Sequence, residues 1–223
     1  MRKHAPVTHA LFDMDGVLLD TEIIYTRVTQ QIVGRYGKTF DWSIKSNMIG
    51  RRAEESSRYL VDALELPISP EDYLRERDEL MKREFPSCLE LPGAQRLVTH
   101  LDRHDVPIAV ASSSSRELFE IKTRNHPWFS MFDAVVTGDD PEIERGKPAP
   151  DIFLHAAKLI DATPSTTLVF EDAPSGLAAA LAAGMRTVVV PDPNMDLSRY
   201  EGAEMILESL LEFSPRDFGL PAI

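Results

Sequence analysis

The stretch VTHALFDMDG, residues 7–16, is largely apolar from Val7 to Phe12 and then breaks into two carboxylates, Asp13 and Asp15, and a glycine, Gly16. A short apolar run that ends on a turn signal reads as a strand buried on both faces, the pattern of a parallel sheet. Four further runs of this kind follow: Val106–Ala111, Ala134–Thr137, Thr167–Phe170 and Thr187–Val190. Helical patterns over Ser115–Arg124, Pro150–Ile160, Ser175–Ala183 and Ala203–Phe213 fall between and after them. Strand–helix alternation predicts an α/β fold, a parallel sheet covered by helices on both faces.

One interval breaks the alternation. From about Asp20 to about Cys88 the chain has helical periodicity and no convincing strand, with Pro67, Ser69 and Pro70 marking a helix–helix turn. The simplest account is a helical insert after the first strand, placed as a cap. The expected organisation is a core of residues 1–19 and 89–223 with a helical cap of residues 20–88.

Composition narrows the function classes. The 223 residues carry 24 Lys and Arg against 36 Asp and Glu, a formal net charge of −12, which argues against a nucleic-acid backbone or an anionic membrane as the main partner. A small phosphorylated metabolite remains open, because a metal ion and one or two local cations make a positive site inside a negative protein. No apolar run approaches the ~20 residues that span a bilayer. The N-terminus has no apolar stretch of signal-peptide type, and the single cysteine, Cys88, leaves no internal disulfide. A cytoplasmic monomer is expected.

In an open α/β sheet the functional site lies at the carboxyl ends of the strands. Asp13 and Asp15 end the first run, Ser112 follows the second, and Glu171 and Asp172 follow the Thr167 run. Lys147 stands in the loop GKPAPD after the Thr137 run. Each motif has an ordinary structural alternative: an acidic turn, helix-first-turn acids, a serine cap, a solvated lysine. Together, in this order at one sheet edge, they point to phosphoryl chemistry. Asp13 is the candidate nucleophile, attacking phosphorus to give an aspartyl-phosphate. Asp15 is the candidate general acid and base. Glu171 and Asp172 suit a hard cation such as Mg²⁺, with Asp172 the direct carboxylate ligand and Glu171 binding directly or through water. In ASSSSRE, residues 111–117, Ser112 supplies a hydroxyl and Ser113 a backbone N–H for an anion. Lys147 supplies a point charge for phosphate.

These residues resemble the four motifs of the haloacid dehalogenase superfamily: DMDG at Asp13–Gly16, then Ser112, Lys147 and Glu171–Asp172, in the family order and over the whole chain. The stretches FDMDGVLLDTE, TGDDPEIERGKPAPDIF, VFEDAPSG and FGLP are similar to the branch holding pseudouridine-5′-phosphatases and glycerol-3-phosphatases. The resemblance implies a Rossmann-like core with a helical cap and an Mg²⁺-dependent phosphatase of HAD type. It also implies a metal site formed by the carboxylates of Asp13 and Asp172 and the backbone carbonyl of Asp15. It further implies that the cap selects the substrate, through Gly50, Arg51 and Arg52 in MIGRRAEES, with Glu22 a candidate contact near the hinge. The expected substrate is a small phosphate monoester such as pseudouridine 5′-phosphate, glycerol 3-phosphate or a sugar phosphate. A sugar phosphomutase of the same fold is the alternative reading.

Overall fold

A computed structural model describes residues 5–49 and 53–223. The chain divides into two compact units, Met1–Asp20 with Leu89–Ile223, and Thr21–Cys88.

The first unit is built on a six-stranded parallel sheet. Its strands are β1 (His9–Phe12), β2 (Ile108–Ser112), β3 (Ala134–Thr137), β4 (Thr167–Glu171), β5 (Arg186–Val189) and β6 (Met205–Ile206), in the order β3-β2-β1-β4-β5-β6. β1 is central because both its edges are taken, Phe12 lying opposite Val110 on one side and Phe170 on the other. The strand order reverses between β1 and β4, the switch point at which such sheets bind ligands.

Alternation along β1 divides the core. Leu11 faces one side with Ala109, Ala111, Val136 and Val169, packing against α7 (Asp151–Leu159) and α8 (Pro174–Ala182) through Phe153, Ala156, Ala179 and Ala180. Phe12 faces the other side, stacked on Phe170 at 4.6 Å between ring centroids, with Phe132 edge-on to Phe12 and Phe213 edge-on to Phe170. Helix α5 (Ala94–Arg103) buries Leu97, Val98 and Leu101, a stripe at helical spacing. Phe12 precedes Asp13 directly, so the nucleophile candidate stands at the end of an interior strand paired on both edges.

The stretch Ala203–Phe213, expected as a helix, is not one. Met205–Ile206 pair with β5, and Ser209 caps a 3-10 turn over Leu210–Glu212. Glu204 N–H donates to the Thr187 carbonyl at 2.8 Å and Leu207 N–H to that of Val189 at 2.9 Å. The edge of β5 offers backbone partners, and Arg186 takes the Glu204 carboxylate at 2.5 Å. Tertiary pairing outweighs a helical propensity worth only tenths of a kcal/mol per residue.

The second unit holds α1 (Glu22–Gly34), α2 (Trp42–Lys45), α3 (Ala53–Ala63) and α4 (Pro70–Glu84). Helix α1 buries Ile24, Val28 and Ile32, spaced one turn apart. It is tied to α4 by a buried Thr29–Tyr73 hydroxyl pair at 3.1 Å and an Arg35–Glu76 ion pair at 2.6 Å. Ser69 caps α4 by accepting from Asp72 N–H. The ends of this insert leave and rejoin the first unit side by side: Asp20 N–H donates to the Leu89 carbonyl at 2.8 Å and Leu91 N–H to that of Leu18 at 3.0 Å.

Candidate active site

Asp13 is the first residue beyond β1, and its N–H still donates to the Phe170 carbonyl at 2.9 Å. The backbone then turns sharply, with Leu18 and Leu19 N–H both returning to the Met14 carbonyl at 2.9 and 3.0 Å. Gly16 sits in that turn at φ +78°, where side-chain-bearing residues are strained. A Cβ there would lie 2.3 Å from Asp172 Oδ2, so the missing side chain is the space the Asp172 carboxylate occupies.

Lys147 joins two of the motifs. Its Nζ donates to Asp13 Oδ1 at 2.6 Å and to Glu171 Oε1 at 2.5 Å, and lies 4.8 Å from the centre of the Phe153 ring. All three side chains are nearly sealed from water, that of Glu171 being 1% exposed. The loop that carries Lys147 is closed by Arg145, whose guanidinium meets Asp151 at 3.0 Å. Glu171 Oε2 accepts from the N–H groups of Asp172 and Ala173, both at 2.9 Å. A Cβ at Gly176 would lie 1.8 Å from Glu171 Oε1, so α8 leaves room for that carboxylate only as glycine. Glu171 is thus held on one oxygen by Lys147 and on the other by the loop, while Asp172 turns toward Gly16. The Tyr200 hydroxyl donates to the Asp172 carbonyl at 2.5 Å and fixes that backbone as well.

The electrostatics follow from burial. Loss of water pushes the Asp13 carboxyl up to about 7; Lys147 pulls it down, and the charges of Glu171 and Asp15 push it up. Burial also works against the Lys147 ammonium, but Asp13 and Glu171 outweigh it and hold the lysine charged well above its ordinary range. One lysine is shared between two buried acids, so it keeps its charge while Asp13 holds its proton more tightly than a solvated carboxyl.

A second cluster surrounds Asp15. Lys122 Nζ donates to Asp15 Oδ1 at 2.6 Å, and Ser114 Oγ to Asp15 Oδ2 at 2.9 Å. Ser112 is fully buried, and its hydroxyl accepts from Ser114 N–H at 3.1 Å, bracing the turn after β2. Ser113 is exposed beside it. Asp139 accepts from the Arg116 N–H and from the Thr137 hydroxyl, both at 2.8 Å, which anchors α6 (Arg116–Thr123) to the end of β3. The motifs do not single out Lys122 or Ser114. The one signal in the sequence is a lysine three residues after Phe119, on the buried stripe of α6.

The remaining candidates are in the second unit. Glu22 opens α1 and pairs with Lys45 at 2.9 Å; Lys45 also donates to the Thr26 hydroxyl at 3.1 Å. Gly50, Arg51 and Arg52 lie outside the described residues.

The donor set fits a hard divalent cation. Three carboxylates (Asp13, Asp15, Glu171) pair with two ammonium groups and a fourth, Asp172, lies against Gly16, an excess of negative charge in which every donor is oxygen. Among the described residues no group of three or more His, Cys, Asp or Glu side chains converges as a metal cage. Mg²⁺ characteristically takes one or two protein carboxylates and completes its shell with waters and substrate phosphate. The cradle at Gly16, filled by Asp172 beside the backbone of Asp15, has that character.

An acid, a buried lysine and a second acidic pair stand together at the switch point of a parallel sheet, where such folds place a functional site. Residues 10–190 match the haloacid dehalogenase-like hydrolases. (DL)-glycerol-3-phosphatase 2 of Arabidopsis thaliana is 46% identical over 221 residues, covering 96% of this chain and 92% of the relative. A Drosophila melanogaster protein named "Probable pseudouridine-5'-phosphatase" is 44% identical over 220 residues, covering 97% and 95%. A HAD family hydrolase from Deinococcus radiodurans R1, solved with bound phosphate and sodium, superposes with a TM-score of 0.80 at 27% identity, covering 98% of this chain and all of that one. The chain belongs to the haloacid dehalogenase-like hydrolases. Within them it is a phosphoric monoester hydrolase. No helix among the described residues is long and apolar enough to cross a membrane.

Proposed function

We propose that this enzyme hydrolyses a small phosphate monoester through an aspartyl-phosphate on Asp13, with Mg²⁺ as cofactor and with pseudouridine 5′-phosphate, glycerol 3-phosphate or a sugar phosphate as substrate. The observation that carries the reading is the bridge of Lys147 between Asp13 and Glu171, set beside Asp172 in the Gly16 cradle.

The chemistry balances in two displacements. An Asp13 carboxylate oxygen attacks phosphorus as the bond from phosphorus to the ester oxygen breaks, and Asp15 gives that leaving oxygen its proton. Asp15 then takes a proton from water as the water oxygen attacks phosphorus, which releases inorganic phosphate and returns the Asp13 carboxylate. Lys147 holds Asp13 in the attacking orientation and adds positive charge where phosphate oxygens would gather. Glu171, fixed by two N–H groups, holds Lys147. Asp13, Asp172 and the Asp15 carbonyl would hold Mg²⁺, which supplies charge stabilisation and relieves repulsion between the carboxylate and the phosphate dianion. The buried hydroxyl of Ser112 and the exposed Ser113 supply donors at the end of β2. Substrate choice falls to the helical unit, to Gly50, Arg51 and Arg52 and to Glu22.

The test is phosphate release from a panel of pseudouridine 5′-phosphate, glycerol 3-phosphate, ribose 5-phosphate and 4-nitrophenyl phosphate, with Mg²⁺ and with chelator. Mg²⁺-dependent release from at least one alkyl ester, without a bisphosphate activator, is expected. Turnover that survives chelation would remove the metal from the account, and isomerisation without phosphate release would make the enzyme a mutase.

A further inference from the structure

Lys122 is wholly shielded from solvent near the C-terminal end of α6, and among the described residues no other lysine is as deeply buried, the Lys147 side chain being 6% exposed. A lysine in the last turn of a surface helix ordinarily extends its ammonium into water, where hydration is favourable. Here the ammonium turns inward and ends in a three-membered ring of hydrogen bonds. Nζ donates to Asp15 Oδ1 at 2.6 Å and to Ser114 Oγ at 2.8 Å, and Ser114 Oγ donates to Asp15 Oδ2 at 2.9 Å.

The ring constrains its members differently. A carboxylate anchored on one oxygen still rotates about its terminal torsion, which is broad and roughly two-fold. Anchored on both oxygens by groups that also bond each other, it has one plane. Each oxygen of a carboxylate has more than one acceptor position, and the Asp15 side chain stays 23% exposed, so it is held without being sealed. The anchor is itself rigid. Ser114 is fixed by its N–H on Ser112 Oγ at 3.1 Å and its carbonyl on Gly138 N–H at 2.8 Å, and a Cβ at Gly138 would lie 2.4 Å from the Ser113 carbonyl. Burying an ammonium here without those partners would be strongly unfavourable. The other buried side chain of α6, Phe119, is apolar, so packing of the helix alone does not call for a charge at this position.

We propose that Lys122, acting with Ser114, is a positioning residue for proton transfer: it sets the plane of the Asp15 carboxyl that protonates the leaving oxygen. This rests on the assignment of Asp15 as general acid in the proposed function. It adds a requirement for two residues that act through that carboxyl.

The leaving group separates this role from a structural one. An alkyl alkoxide leaves only with a proton, whereas 4-nitrophenolate leaves well without one. Lys122→Met keeps the length and removes the charge. Its kcat/KM is expected to fall about 10²-fold with the fastest alkyl phosphate of the panel and less than about fivefold with 4-nitrophenyl phosphate, on the scale of general-acid contributions and ångström misplacements. Ser114→Ala should show the same split at about tenfold, and it carries the test by itself if Lys122→Met does not fold. Asp15→Asn should show the largest split, and adding Lys122→Met to it should cause no further loss, because the lysine acts through that carboxyl. Equal losses on both ester types, or an additive double variant, would overturn the positioning role. Wild-type enzyme that releases phosphate from none of the panel would instead overturn the proposed function itself.

Discussion

Replacing Gly16 by alanine perturbs the site through one methyl group, and the structure fixes what it meets. The new Cβ would stand 2.3 Å from Asp172 Oδ2, 2.8 Å from its Cγ and 3.3 Å from its Cβ. Restoring an ordinary contact of about 3.4 Å requires the carboxylate to retreat by about 1 Å. Asp172 is hindered from shifting as a whole, since its N–H is on Glu171 Oε2 and its carbonyl accepts from Tyr200, so the side chain must rotate away from the Asp13–Gly16 turn. A displacement of that size costs on the order of 10²-fold in rate where geometry is productive. Independently, alanine at φ +78° is strained by about 1–2 kcal/mol, which for a chain of this length lowers Tm by roughly 2–8 °C. Gly184→Ala isolates that second effect, because Gly184 has φ +74° and a methyl added there would meet no atom within 4 Å. Steady-state kinetics against Mg²⁺ concentration, paired with thermal melts, should show both variants destabilised alike. Only Gly16→Ala should lose about 10²-fold in kcat and need more Mg²⁺. If Gly16→Ala matches Gly184→Ala in rate and Mg²⁺ dependence, Asp172 does not act from the Gly16 cradle.

Two further outcomes follow from the charges. Glu171→Gln keeps the volume but leaves the buried Lys147 ammonium with Asp13 alone; loss of one partner of a buried pair costs about 3–5 kcal/mol, so calorimetry should show Tm lowered by roughly 10 °C. The Asp13 carboxyl, raised from 3.8 to about 7 by burial, binds its proton more tightly in the folded than in the unfolded chain. Metal-free enzyme therefore loses stability as pH rises from about 4 to about 7, by about 3 kcal/mol between pH 5 and pH 8. Asp13→Asn has no such proton, so its Tm relative to wild type should rise by roughly 5–10 °C over that interval; a difference that stays constant with pH would show that Asp13 ionises normally.

The five apolar runs were legible as parallel strands because a sheet covered on both faces leaves little room for polar residues, and the acids, serine and lysine that follow them stood out against that background. The sixth strand was not legible. Met205–Ile206 carries no periodicity of its own and exists through backbone bonds to β5. The motif residues could be named from order and chemistry, but not their pairing. That Lys147 bridges Asp13 and Glu171, and that Glu171 spends its second oxygen on backbone N–H groups, depends on a loop closed by Arg145 and Asp151 and on the room left at Gly176. Lys122 escaped the sequence reading because a lysine in an amphipathic helix ordinarily faces water, and only the fold shows it turned inward onto Asp15. In the run of four serines, sequence favoured Ser112 and Ser113; the structure adds Ser114, whose hydroxyl meets Asp15.

The central claim is that phosphorus is captured by a carboxylate oxygen of Asp13. Acid-quenching the enzyme during turnover of an alkyl phosphate, reducing the trapped acyl phosphate with borohydride and sequencing the peptide by mass spectrometry tests it directly. The expected product is homoserine at position 13, absent when substrate is omitted. Homoserine at position 15, or no reduced residue while phosphate is being released, would contradict it.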